Sequence, residues 1–230
     1  MPAHIALVGD RNPEYLTHRE LDASIALMPA GVAARWVATD GADAPHLDGF
    51  DALWIVPGTP YRDEEPVFAA IAHARTTGVP ILGTCGGFQH MVVEFARNVA
   101  GMPEAGHAET DPGAGVHVVS ALACSLVGER RTVTTVPGTL VAELCGEAPF
   151  TGFHWCNYGL EPAHAERLAG AGLVVSATAA DAGVEAVELP GHPFYVATLF
   201  QPQVGSSASG MLHPLVAALA DQARGGVPAA

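Results

Sequence analysis

The chain has 230 residues, of which 49% are hydrophobic and 15% charged, with a formal net charge of −14. This length suits one α/β domain with a substantial core, and the acidic balance argues against nucleic-acid binding, which needs basic patches against phosphate. No apolar run approaches the roughly 18 residues of a membrane span, and the start, Met1-Pro-Ala-His-Ile-Ala-Leu-Val8, lacks the charged and apolar regions of a signal peptide, so cytoplasm is the expected location.

Ile5–Val8 is the first predicted strand and Tyr15–Leu27 the first helix. Arg35–Ala38 and Ala52–Val56 follow as strands, Glu64–Thr76 as a helix, and Val79-Pro-Ile-Leu82 as a buried strand. This βα alternation predicts a doubly wound parallel sheet, with ligands collecting at the carboxyl ends of its strands. From about residue 108 the pattern changes. Val116–Leu122, Thr132–Val136, His154–Tyr158, Leu173–Thr178, Ala186–Leu189 and Tyr195–Phe200 read as strands between Gly/Pro turns, several of them antiparallel. His213–Ala223 is a final helix, and Gly225–Ala230 a frayed tail. With no repeat and no linker, residues 1–230 are expected to form one domain: an open, mostly parallel α/β sheet with antiparallel additions.

The residue that most needs explaining is Cys85, in Ile81-Leu-Gly-Thr-Cys-Gly-Gly-Phe-Gln89. An apolar strand precedes it, and Phe88, Met91, Val92, Phe95 and Ala96 recur after it at helical spacing. Gly83, Gly86 and Gly87 surround it, and glycine tolerates the close backbone approach that a sharp strand-to-helix elbow needs. Such an elbow lifts a thiol to a helix N-terminus, which favours anions and offers free N–H groups to a developing oxyanion. The other cysteines, 124, 145 and 156, complete no Cys-x-x-Cys zinc spacing and suggest no disulfide framework. No metal or cofactor is expected.

Cys85-Gly-Gly-Phe-Gln-His-Met-Val-Val-Glu-Phe-Ala-Arg-Asn-Val-Ala-Gly-Met102 resembles the nucleophile segment of the class I glutamine amidotransferase domain of CTP synthases. The likeness begins at Ile5-Ala-Leu-Val-Gly9 and passes through Trp54-Ile-Val-Pro-Gly58, similar to that family's oxyanion-loop strand. It reaches Leu189-Pro-Gly-His-Pro-Phe-Tyr-Val-Ala-Thr-Leu-Phe-Gln-Pro-Gln203 and so covers nearly the whole chain. It implies a class I glutamine-amidotransferase-like, flavodoxin-like fold, with Cys85 as nucleophile and the backbone N–H groups of Gly58, Thr59 and Gly86 as oxyanion hole. No counterpart of the synthase half is found, so the nucleotide-amidating site is not expected in this chain.

The departures are specific. The family closes its triad with His-Pro-Glu after the last core strand, and here Gln201-Pro-Gln203 follows. An amide accepts and donates hydrogen bonds but takes no proton at neutral pH, whereas glutaminase chemistry needs a base and an acid at that place. In the substrate site, Gln89 matches the family's contacting glutamine, and Glu109 the glutamate that holds the substrate ammonium. Asn157 stands where an arginine takes the substrate carboxylate, and a neutral amide does not replace a bidentate guanidinium. The resemblance thus implies an amine-bearing or amino-acid-like ligand other than free glutamine.

On an extended strand His154 and Cys156 project from one face, and the resemblance puts that face beside the nucleophile pocket. Either His154 serves Cys85 as substitute base, with His90, His107 and His213 as other choices, or Cys85 and Cys156 act as a two-thiol acid/base pair in an isomerase. His192-Pro193 reads as a turn before the last core strand. Three functions stay open: a cysteine enzyme of altered chemistry, a glutaminase with a rescued triad feeding a separate synthase subunit, or a catalytically silent binding or regulatory relative. A second copy of the chain is the other partner to consider.

Overall fold

The computed structural model describes residues 2–40 and 47–225, so the predicted tail beyond 225 lies outside the described residues. The strands are β1 (Ala3–Val8), β2 (Val32–Val37), β3 (Ala52–Ile55), β4 (Ile81–Thr84), β5 (Ala105–His107), β6 (Val116–Ala121), β7 (Glu129–Thr135), β8 (Phe150–His154), β9 (Tyr158–Leu160), β10 (Val174–Ala179), β11 (Gly183–Glu188) and β12 (Tyr195–Thr198). The helices are α1 (Leu16–Ala26), α2 (Glu65–Thr77), α3 (Gly86–Asn98), α4 (Leu140–Cys145), α5 (Pro162–Gly170), α6 (Ser206–Ser209) and α7 (Pro214–Ala223).

A nine-stranded sheet runs β2-β1-β3-β4-β12-β11-β10-β7-β8. Its first five strands are parallel to one another, and β11, β10, β7 and β8 extend it in antiparallel fashion. Strands β3, β4 and β12 are buried at every position, as expected where helices cover both faces of a parallel sheet. Alternate side chains sort into two cores. Leu53, Ile55 and Ile81 pack with Ile71 of α2 and Phe88, Val92 and Phe95 of α3. Trp54, Leu82 and Val196 pack on the other face with Leu21 of α1 and Leu215 and Leu219 of α7.

The first eleven residues of α3, Gly86–Ala96, are all buried, including Glu94. Its carboxylate takes two parallel bonds from Arg75 of α2, at 2.9 and 2.8 Å, which satisfies a charge that could not stay buried alone. Close approach of α3 to the sheet depends on glycine. A Cβ on Gly87 would collide with the carbonyl oxygen of Ile55, and one on Gly83 would meet the Gly87 carbonyl at 2.9 Å.

A smaller sheet, β5-β6-β9, covers α3 from outside. The run read as one strand over 154–158 divides between the two sheets: β8 ends at His154 and β9 begins at Tyr158. The three residues between them form a bridge, held where the Cys156 and Asn157 carbonyls accept the N–H groups of Leu126 and Leu122. Helices α4 and α5 were not evident from periodicity. The first leans on Glu188, whose carboxylate accepts the Leu140 and Val141 N–H groups at 2.9 and 3.1 Å, and the second opens on Pro162 at its first turn.

Gly87→Ala is expected to lower stability by about 2 kcal/mol or more, because the colliding atom is backbone and cannot swing aside; urea denaturation measures it. Stability should also fall with acid. Burial pushes His107 and His213 down to about 4, so the unfolded chain takes up protons first as pH drops below about 6.5 and folding weakens progressively towards pH 4. His213 Nδ1 accepts the Leu215 N–H at 3.3 Å as the cap of α7. His213→Asn keeps a capping acceptor without the titration, and should flatten part of that acid limb in chemical denaturation at graded pH.

Candidate functional site

Cys85 joins the carboxyl end of β4 to the first residue of α3 with φ 52° and ψ −105°, and it is the one non-glycine residue with positive φ among those described. A side-chain-bearing residue held there costs on the order of 1–3 kcal/mol and persists only where its surroundings over-determine it. They do so here: the Cys85 N–H donates to Thr198 O at 2.8 Å, its carbonyl accepts from Gln89 N at 3.1 Å, and Gly86 packs directly on the Thr59 side chain. The elbow expected from the glycine pattern is present.

A cleft of about 470 Å³ opens over the elbow, with Cys85, Gln201 and the Pro57-Gly58-Thr59 loop on its walls. Tyr15 and Trp155 also line it, and they are 50% and 51% exposed. Two half-exposed aromatic rings beside a buried thiol belong to the surface rather than the core. Neither ring was singled out from sequence, because an aromatic at the start of an apolar helix or beside a strand reads equally well as packing. His18 was also missed. Its Nε2–H donates to Pro57 O at 2.8 Å and its Nδ1 accepts from Asn12 N at 2.8 Å, so a neutral ring holds the loop from below. Burial lowers its pKa, in keeping with that role.

Gln201 and Gln203, which the resemblance sets against a histidine and a glutamate, lie together. Gln203 Nε2 donates to Gln201 Oε1 at 2.9 Å, while Gln201 Nε2 and Gln203 Oε1 are buried without a protein partner. Both amides face each other and neither takes a proton.

His154 and Cys156 part company. Because β8 ends at His154, the strand parity that would set the two side chains on one face does not apply, and this expectation is corrected. His154 turns its Nε2 to both oxygens of Glu185, each at 2.9 Å, with both side chains fully buried. Its Nδ1 has no partner. Glu185 was not foreseen, although a lone acid in the apolar run Val184-Glu-Ala-Val187 is a usable signal. Cys156 is buried instead on the Cys85 side, and interaction with the Cys85 thiol, then burial, holds its pKa well above the usual thiol range. The Cys85 sulfur itself lies 3.7 Å from Trp155 O. Among the described residues no imidazole hydrogen-bonds the Cys85 sulfur.

The remaining candidates stand away from the cleft. Gln89 is buried, donating to Tyr158 O at 2.8 Å and bonding His107 Nε2 through Oε1 at 3.1 Å. Glu109 and Asn157 are exposed, and none of the three is among the residues lining the cleft. Local desolvation and the Glu64 charge raise the Glu109 carboxyl. His90 donates from Nδ1 to Gly86 O at 2.9 Å and sets its Nε2 3.3 Å from Glu64. His107 binds Gln89, and His213 caps α7.

Residues 37–203 match the model of the family described as Peptidase C26. The CTP synthase of Acidothermus cellulolyticus is 38% identical over 94% of this chain and 43% of its own length. That of Frankia casuarinae is 35% identical over 98% of this chain and 42% of its own. The chain thus spans about two fifths of the length of these curated relatives. In fold it is similar to the Trypanosoma brucei CTPS glutaminase domain with bound acivicin, with a TM-score of 0.81 at 23% identity over 97% of this chain and 94% of that one. A glutamine amidotransferase from Thermotoga maritima gives 0.59 at 13% identity over 96% and 91%.

Iodoacetamide at neutral pH should label Cys85 ahead of Cys145 and Cys156 in the folded protein. Only Cys85 of these three lines the cleft, and burial pushes the Cys145 thiol up to about 11. Cys124 is exposed and should label with or without the fold. Peptide mapping at timed points gives the order, and labelling of Cys85 only after unfolding would contradict the open cleft.

Proposed function

The chain belongs to the Peptidase C26 family, as a CTP synthase-type glutamine amidotransferase-like domain, and we propose that it is a cysteine-dependent enzyme acting on a small amine-bearing substrate other than glutamine. One observation carries this reading. Cys85 keeps the strained elbow over an open cleft while both positions that complete the triad hold amides. Strain at a single residue is a cost that packing alone gives no reason to retain.

The proposed chemistry is acyl transfer or hydrolysis. The Cys85 thiolate attacks a substrate carbonyl, and the N–H groups of Gly58, Thr59 and Gly86 receive the oxyanion, as in the family. Cys156, kept neutral by its interaction with Cys85 and by burial, is the proton donor in this proposal and hands its proton to the departing amine. Water then attacks the thioester, and the proton it loses returns to the pair. The resemblance makes Glu109 the ammonium partner, but it is off the cleft wall, and Gln89 is committed to Tyr158 O and His107. An isomerase built on the same thiols would need a substrate carbon between them. Cys156 is not on the cleft wall, whereas Cys85 is, so acyl transfer at Cys85 fits the cleft more directly. The relatives' identity as CTP synthases supports a separate synthase subunit as a partner to test.

Incubation with amino-acid amides and p-nitroanilides, followed by intact mass measurement, should trap an acyl adduct on Cys85 that Cys85→Ala abolishes. Calorimetric binding of the same compounds without adduct or turnover would favour the silent binding relative instead.

Glutamate release from glutamine should stay below the usual enzyme range of roughly 1–10³ s⁻¹. Gln201→His with Gln203→Glu should not restore it, because Asn157 still leaves the substrate carboxylate without its cation and orientation supplies much of the rate. Adding Asn157→Arg to that pair should raise turnover. Full activity in the double variant would show that glutamine recognition had never been lost.

A further inference from the structure

The cleft over Cys85 carries charges of its own. We infer that it binds a zwitterion, with Arg19 taking a carboxylate and Glu14 an ammonium of the same substrate. This rests on the reading of Cys85 as the reacting group in that cleft, and it names what the substrate carries besides its acyl group.

Among the described residues, Glu14 and Arg19 are the acid and the base on the cleft wall, which they share with Cys85. Glu14 lies in the turn before α1, and Arg19 in the first turn of that helix. The turn is closed by its own bonds. The Glu14 N–H donates to Asn12 Oδ1 at 3.0 Å, and the Tyr15 N–H donates to Asn12 O at 3.1 Å. Arg19 ties it further, its Nη1 donating to Pro13 O at 3.1 Å and to Glu14 O at 2.8 Å. Those two bonds use both hydrogens of Nη1 and hold the guanidinium to the turn. Its other edge, formed by Nε and Nη2, has no hydrogen-bond partner among the described residues. Arg75 grips Glu94 by that same edge, and Arg11 grips Asp22 by it. The edge matches the two oxygens of a carboxylate.

An open edge is informative in so acidic a chain. Asp and Glu number 24 against ten basic residues, all of them arginine. Six of those arginines sit on a carboxylate of the protein. Arg19 does not, although Glu14 stands on the same wall, and the Glu14 carboxylate has no partner among the described residues either. Opposite charges that share a cleft without neutralising each other suit a ligand that brings both complements. Tyr15 and Trp155, on the same wall and half-exposed, give apolar surface to the carbon chain between those charges. Glu109 and Asn157 are off this wall. The head group is therefore read from the α1 side, and its charges are spaced from the acyl carbon differently from those of glutamine.

The test is protection of Cys85 from iodoacetamide by ω-amino acids, from glycine to ε-aminocaproate, followed by peptide mapping of the full chain. These compounds carry both charges at graded spacing and no amide, so they report binding without acyl chemistry. At least one length should protect Cys85 better than the alkylamine or the alkanoate of the same chain. Arg19→Gln should raise the half-protecting concentration of that compound about tenfold and leave the alkylamine unchanged. Glu14→Gln should weaken the zwitterion and leave the alkanoate unchanged. A turn merely loosened by substitution would weaken all three compounds alike, and that result overturns the proposal. So does a series in which no length protects. An acyl adduct on Cys85 with no such protection removes this inference alone, whereas protection with no adduct removes the enzymatic reading alone.

Discussion

The close approach of α3 to the sheet is the constraint on which the site depends. A helix that starts directly after a strand and packs back on the same sheet has no room for side chains where backbone meets backbone. Gly83 and Gly87 supply that absence, and the Ile55 carbonyl defines how close the helix comes. Once this distance is set, the residue at the turn has one conformation left, and it is a left-handed one that a side chain adopts only at a cost. Cys85 bears the cost. Its sulfur is therefore positioned by glycine contacts on either side, and the Arg75–Glu94 pair holds the same helix against α2. Cys85 is held there because its neighbours have nowhere else to go.

The positions after β12 carry amides bonded to each other, and a histidine and a glutamate form a fully buried pair on β8 and β11 of the same sheet. Such a pair is costly to desolvate and weak evidence for stability, yet removing one partner strands the other and costs about 3–5 kcal/mol. His154–Glu185 is best understood as a closed pair within the antiparallel half of the sheet. Its imidazole is bound to a carboxylate.

The parallel half was legible in the sequence because it obeys one rule. Strands buried on both faces read as unbroken apolar runs, and Ala52-Leu-Trp-Ile55 and Tyr195-Val-Ala-Thr198 could hardly be anything else. The elbow was legible for the same reason, since three glycines around one cysteine leave few backbone alternatives. The antiparallel half was less so. Residues 150–160 are continuously strand-like, but nothing local says that they serve two sheets or that the change falls after His154. Helix α4 is six residues long and relies on the distant Glu188 carboxylate, a contact no local pattern contains. The Tyr15 and Trp155 rings failed to stand out because exposure is a property of the assembled surface.

That sheet-to-sheet bridge has a consequence for chemistry. Had β8 continued as one strand, Cys156 would share a face with His154 and the imidazole would have stood beside it. Ending the strand at His154 sends the imidazole to Glu185 and frees the next three residues to cross towards the smaller sheet. Trp155 then reaches the cleft, with its carbonyl 3.7 Å from the Cys85 sulfur. A single break in a strand thus separates the imidazole, held by Glu185, from the residue whose backbone meets the Cys85 sulfur, and among the described residues no imidazole hydrogen-bonds that sulfur.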